Sequence, residues 1–213
     1  MRKFNEHPQV DDSILQKISE IHKVGKINNP TQSVIWDKAQ YSCVKEFKKI
    51  VLEKGLKIQE SRCSWCTLLI GEKGRRTPQR DHIAPKSTYP KWTFLTKNIV
   101  LSCEYCNGFA IKNKLDTVEE DAADYDDVKF FVVHPYKDEP KCHIEFEGGS
   151  RESGITIRGK TLKGSWTIAN LKLDSPGMTE LRARDFLYFQ TSDSLPEPYK
   201  SLFDKATGRG GSS

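Results

Sequence analysis

Cys63-Ser-Trp-Cys66, then Arg80-Asp81-His82-Ile83-Ala84-Pro85, then Asn98-Ile-Val-Leu-Ser-Cys103-Glu-Tyr-Cys106-Asn107: this run decides the fold. Each Cys-x-x-Cys turn aims two thiolates at one ion, and two such turns complete a closed tetrahedral four-sulfur site suited to zinc. No coordination position is left open, so that zinc is expected to be structural. Residues 67–102, 36 in all, separate the two turns. That is longer than a zinc ribbon needs, so a hairpin must lie between them, and Asp81 and His82 fall inside it.

Outward from this core, the pattern is mixed. Ile14, Leu15, Ile18, Ile21 and Val24 recur at helical spacing after a capping Asp12 or Ser13. A second helix is expected to start after Pro30-Thr31 and to carry Val34, Ile35, Ala39, Cys43, Val44, Phe47, Ile50 and Val51 on one face, stopping at Gly55. Cys43 lies on that stripe and reads as core. From Leu56 to Lys114 the elements shorten: a turn at Gly71–Gly74, an extended segment over 77–83, a loop over 85–92, a strand over 98–102 and a helix over 106–114. Strands follow over 128–133, 143–147 and 154–158, with a turn at 148–150, and then helices over 161–173 and 179–190. The fold class is therefore α+β. The expected organisation is an N-terminal helical segment (1–56), a zinc-knuckle module (57–115), an α+β accessory lobe (116–207) and a flexible tail (208–213).

Composition sets the surroundings. Charged residues make up 30% and hydrophobic residues 36% of the 213, and no run approaches the ~18 apolar residues of a spanning helix. No apolar stretch follows the basic start, so a cytoplasmic location is expected, where paired cysteines hold metal more readily than disulfides. The formal charge of +5 is concentrated: residues 54–114 hold twelve Lys or Arg against four Asp or Glu. A polyanion suits that excess, and a solvated basic face is the plainer alternative. Residues 115–127 reverse it with seven acidic residues, read first as a linker, otherwise as a flank that repels nucleic acid or docks a basic partner.

Asp81-His82 gains weight from Asn98 and Asn107. Together they resemble the HNH, or ββα-metal, nuclease motif, with His82 as its first histidine, Asn98 as its central asparagine and Asn107 in the last place, where asparagine also occurs in CRISPR effector nucleases. The resemblance implies that Asp81 and Asn107 bind one Mg²⁺ or Mn²⁺ ion while His82 activates water and Asn98 orients the His82 region. Oxygen ligands suit such hard cations, and neutral imidazole can accept a proton from water at cellular pH. Lys112, Lys86 and Arg80 are candidates for phosphate contacts, or else exposed surface charges. A zinc deaminase is disfavoured, because neither Cys-x-x-Cys pair follows a proline and the one His-x-Glu, His143-Ile-Glu145, comes after both pairs.

Residues 81–90, 98–107 and 132–144 (Val-Val-His-Pro-Tyr-Lys-Asp-Glu-Pro-Lys-Cys-His-Ile), the Met-Arg-Lys start and residues 166–173 are further similar to the HNH component of Septu and retron-associated antiphage systems. That resemblance implies a toxic effector controlled by an ATPase of the ATP-binding-cassette or overcoming-lysogenisation-defect type, and in retrons by a reverse transcriptase and its RNA–DNA product. DNA is the first expected substrate and RNA, including tRNA, the second. A zinc-stabilised nucleic-acid-binding scaffold without catalysis is the alternative of a different class. His134, Cys142 and His143 leave two readings open: a second metal cluster, or strand-end contacts.

Overall fold

The computed structural model describes residues 1–24, 32–38, 40–74, 76–108, 111–112, 115–149, 154–192 and 194–207. The helix-start signal Pro30-Thr31, Ala39, Lys114, Ser150 and the 208–213 tail lie outside the described residues.

Helices α1 (Asp12–Val24), α2 (Gln32–Asp37) and α3 (Ser42–Ile58) form the N-terminal layer. The single helix expected over 32–55 is therefore two. Tyr41 is extended at the head of α3, and Trp36 at the end of α2 turns onto Phe47, Phe94 and His82. Nor does Gly55 end α3. A Cβ there would stand 2.9 Å from Leu101 Cδ1, so the missing side chain serves close approach of helix to sheet instead of a stop.

Strand β1 (Pro78–His82) pairs antiparallel with β2 (Ile99–Cys103), setting Pro78 opposite Cys103, Asp81 opposite Val100 and His82 opposite Ile99. Side chains alternate along a strand. Arg80 and His82 therefore share one face with Ile99 and Leu101, and Gln79 and Asp81 share the other. The first face lies on the helices, where Ile99 joins Ile14, Ile18, Ile35, Phe47 and Val51 in one apolar cluster. A larger cluster covers the remaining surface of the hairpin and runs from Met1 and Phe4 through Trp65, Ile83 and Val100 to Phe130, Leu171 and Met178.

The helix expected over 106–114 lies partly outside the described residues; of those described, Asn107 N–H reaches Cys103 O while Ile111 and Lys112 N–H both reach Gly108 O. The acidic run is not a linker. It contains β3 (Val118–Glu120), paired with β4 (Lys129–Phe130), and its Val118 and Tyr125 are buried. Its carboxylates neutralise this chain's own hairpin loop: Asp121 pairs with Lys91 at 2.9 Å and Asp126 with Lys97 at 2.8 Å. The strand expected over 128–133 is correspondingly short.

The C-terminal half places β5 (Ile144–Glu147) against β6 (Thr156–Gly159), with α4 (Pro140–His143) and α5 (Leu162–Asn170) packed on them; α6 (Pro176–Ser192) follows, and α7 (Tyr199–Thr207) meets it through Tyr188 and Phe203. Thr161 caps α5 by accepting from Gly164 N–H at 3.2 Å. No described helix is long and apolar enough to cross a membrane.

Candidate functional site

The base of the hairpin is a four-cysteine cluster. Cys63, Cys66, Cys103 and Cys106 are buried, none forms a disulfide, and their sulfurs all lie within 4.8 Å of one another. Cys66 and Cys103 Sγ are 3.8 Å apart, which is the edge, about 3.8 Å, of a tetrahedron of sulfurs held ~2.3 Å from a central zinc. Backbone N–H groups of Cys103 and Cys106 point at Cys63 and Cys103 Sγ, at 3.3 and 3.5 Å, as thiolate ligands require. Hydrogen bonds from the Cys106, Cys63 and Cys66 thiols hold Cys103 well below the ordinary thiol range, and Cys66 and Cys106 are correspondingly pushed up. The four residues fit a metal such as zinc.

At the other end of β1 the candidate residues separate onto two faces. His82 is buried on the helix-facing side, its ring 4.5 Å from Trp36 and Nε2 2.9 Å from the Thr93 carbonyl. A carbonyl only accepts, so Nε2 carries the proton and Nδ1 is the unprotonated nitrogen. Burial pushes the His82 pKa down to about 3, against an opposing pull from the Thr93 hydrogen bond. Arg80 shares this face and donates from Nε to Lys48 O at 2.6 Å. Lys86 is paired with Asp37 of α2 at 2.6 Å.

Asp81 faces the other way. Its Oδ2 accepts from Trp65 Nε1 at 2.6 Å and its Oδ1 from Lys112 Nζ at 2.5 Å. The same ammonium reaches the His82 carbonyl, and burial lowers the Lys112 pKa while Asp81 opposes that shift. Lys112 therefore does not present its ammonium to solvent. Asn107 lies on the Asp81 side of the hairpin, its Nδ2 donating to Gln79 Oε1 at 3.0 Å. In this arrangement Asp81 offers no open oxygen to a hydrated divalent ion, because both oxygens are engaged and the group is 2% exposed.

Asn98 is fully buried. Its Nδ2 donates to Ala84 O and Trp92 O, each at 3.1 Å, and its Oδ1 accepts from Ala84 N–H at 2.7 Å. The loop following His82 is thereby tied to the start of β2. Two residues that motif spacing does not mark complete this tie. Tyr125 donates its hydroxyl to Asn98 Oδ1, and His134 contacts the same hydroxyl through Nε2, each at 2.9 Å. Trp65 is the third such residue. Its position inside the first cysteine turn is the only sequence signal it carries.

His134 and His143 do not form a second metal cluster with Cys142. His143 Nδ1 meets Thr161 Oγ1 at 2.8 Å, His134 serves Tyr125, and among the described residues the four cysteines alone group as metal ligands.

Fold and site together define a mixed α+β protein whose central β-hairpin is anchored on a four-cysteine centre able to bind a metal such as zinc. No family model matches the chain. Over 119 residues, 56% of its length, it is 28% identical to the Septu protein PtuB of Bacillus thuringiensis. The match spans 39% of that protein, and the likeness supports a relation to the Septu family.

Proposed function

We propose that this protein is an HNH-type endonuclease that hydrolyses phosphodiester bonds, with DNA as substrate, as the cytoplasmic effector of a Septu-like antiphage complex gated by a partner ATPase. The observation that carries the reading is the hairpin itself. A four-cysteine frame fixes β1 and β2, Asp81-His82 ends β1, Asn98 ties down the following loop, and Asn107 leaves the second cysteine turn beside Gln79 on the Asp81 face. The Septu likeness supports the defence context.

Asp81 and Asn107 would hold a divalent ion of the Mg²⁺ or Mn²⁺ kind once Asp81 is released from its present partners. Such an ion supplies charge stabilisation at the scissile phosphate. His82 would accept the proton of the attacking water at Nδ1, the nitrogen not engaged by Thr93, once its ring leaves the helix-facing side to meet the phosphate held on the Asp81 face. Its low resting pKa suits a closed site, and a phosphodiester anion beside the ring raises it toward neutrality. Arg80 and Lys86 contact phosphate only after exchanging Lys48 O and Asp37 for substrate.

The test is cleavage by the zinc-loaded protein within its native complex, offered supercoiled plasmid, single-stranded DNA and tRNA in Mg²⁺ or Mn²⁺. Nicking of DNA should fall by about 10²–10⁴ in His82→Gln, the contribution of a general base. Undiminished cutting by His82→Gln and Asp81→Asn overturns the mechanism. Cutting confined to tRNA transfers it to RNA, and tight binding with no cutting of any substrate identifies a scaffold.

A further inference from the structure

Lysine is seldom fully buried, because its ammonium must be held by other groups when water is removed. Lys112 has 5% of its side chain exposed. Its Nζ lies 2.5 Å from Asp81 Oδ1 and 2.5 Å from the His82 carbonyl, and 5.2 Å from the centre of the Trp65 ring. One anionic oxygen and one backbone carbonyl form the kind of hard-oxygen pair that a divalent ion takes. The ammonium thus stands where a cation bound to Asp81 would stand, and Trp65 Nε1 closes the remaining carboxylate oxygen.

Among the described residues, the Lys112 backbone N–H bonds to Gly108 O, four residues back, and its carbonyl accepts from Leu115 N–H. Neither bond is to β1 or β2, so withdrawing the ammonium from Asp81 breaks no rung of the hairpin. Two cations on one buried carboxylate repel strongly, since screening by solvent is lost there.

We infer that Lys112 is an internal cation filling the divalent-ion position at Asp81, so that lysine and metal occupy that carboxylate in mutual exclusion and the ion enters only when the ammonium leaves. The inference rests on the reading of Asp81 as a metal ligand. It assigns the control of the site to a residue on the same chain.

The experiment is a Mn²⁺ titration of zinc-loaded full-length protein, followed by the loss of the free-ion electron paramagnetic resonance signal. Wild type, Lys112→Met and Asp81→Asn/Lys112→Met are compared, and thermal unfolding is recorded with and without Mn²⁺. Lys112→Met should bind one Mn²⁺ per chain at least tenfold more tightly than wild type. It should melt below wild type without Mn²⁺, its Asp81 carboxylate being unpaired, and recover when Mn²⁺ is added. The double variant, with no charge left in the pair, should fold without the ion and ignore it. If Lys112→Met folds only with Mn²⁺, that dependence is itself the expected result. Equal Mn²⁺ affinity in wild type and Lys112→Met overturns the inference, as does a Lys112→Met that Mn²⁺ cannot fold while the double variant folds. Gain of Mn²⁺ binding without cleavage keeps this inference and removes the nuclease. Cleavage by the complex with unchanged Mn²⁺ affinity in Lys112→Met does the reverse.

Discussion

The Tyr125 hydroxyl stands between Asn98 Oδ1 and His134 Nε2, 2.9 Å from each, and all three side chains are buried. His134 Nδ1 is approached by the N–H groups of Tyr136 and Lys137 at 3.2 Å, so Nδ1 accepts and Nε2 carries the proton. The order of donation runs from His134 to Tyr125 to Asn98. Tyr125→Phe deletes the middle group and leaves a buried imidazole N–H without a partner. It should cost about 1–3 kcal/mol of unfolding free energy, measured by urea denaturation. Asn98→Ala removes the bonds to Ala84 and Trp92 as well and should cost more.

The four-sulfur centre should retain one zinc per chain through gel filtration, read by elemental analysis. Structural zinc contributes roughly 10–16 kcal/mol in finger peptides, comparable to the whole ~5–15 kcal/mol that separates most folded domains from their unfolded chains. Chelation, or Cys63→Ser or Cys106→Ser, should therefore abolish cooperative unfolding as well as metal content. A stable, metal-free protein with a sharp melt would contradict the frame.

Two buried histidines make the fold sensitive to acid. Burial pushes His82 and His134 down to about 3, from 6.5 in the unfolded chain. Between those values the unfolded state binds more protons than the folded one, so their stabilisation is complete above about pH 6.5 and declines as pH falls toward 3. The expected slope is about 1.4 kcal/mol per pH unit for each histidine in that window. His134→Gln should halve this steepness in denaturation curves taken from pH 6.5 to 4.5, whereas an unaltered slope would show that the His134 imidazole is not held neutral.

Helix α5 approaches the backbone of α4 so closely that a Cβ on Gly164 would lie 1.9 Å from His143 O. A carbonyl fixed at the head of a strand has little room to give. Gly164→Ala should lower stability by about 1–3 kcal/mol through overpacking, even though alanine favours helix, and the loss should appear in thermal melts. Gly177, with no atom near its missing Cβ, is the matched control at which alanine should be neutral or stabilising.

The four cysteines were legible because metal coordination imposes spacing, and spacing survives in a sequence. The hairpin was legible too, from the β-branched run into Cys103. What spacing does not convey is direction. Asp81 and His82 are chain neighbours, so a strand must turn them to opposite faces, and motif proximity hides that separation. The break between α2 and α3 was hidden for a related reason: Ile35, Cys43, Val44 and Phe47 still fall on one stripe although Tyr41 is extended between them. The acidic run misled through composition, since its buried Val118 and Tyr125 are outnumbered by carboxylates whose lysine partners lie about thirty residues earlier. Lys112 was visible only as a charge, and nothing in one dimension tells a buried ammonium from a solvated one.

The larger apolar cluster joins Met1 and Phe4 to the cysteine turns and to Met178. No cassette cut at 57 and 115 would inherit a closed interior: it would carry Ile83, Ile99 and Val100 into water and leave the four-cysteine frame without walls. Grafting this hairpin onto another scaffold would therefore mean transplanting both flanks with it, and a deletion far down the chain, at Leu171 or Leu173, should be felt at the hairpin.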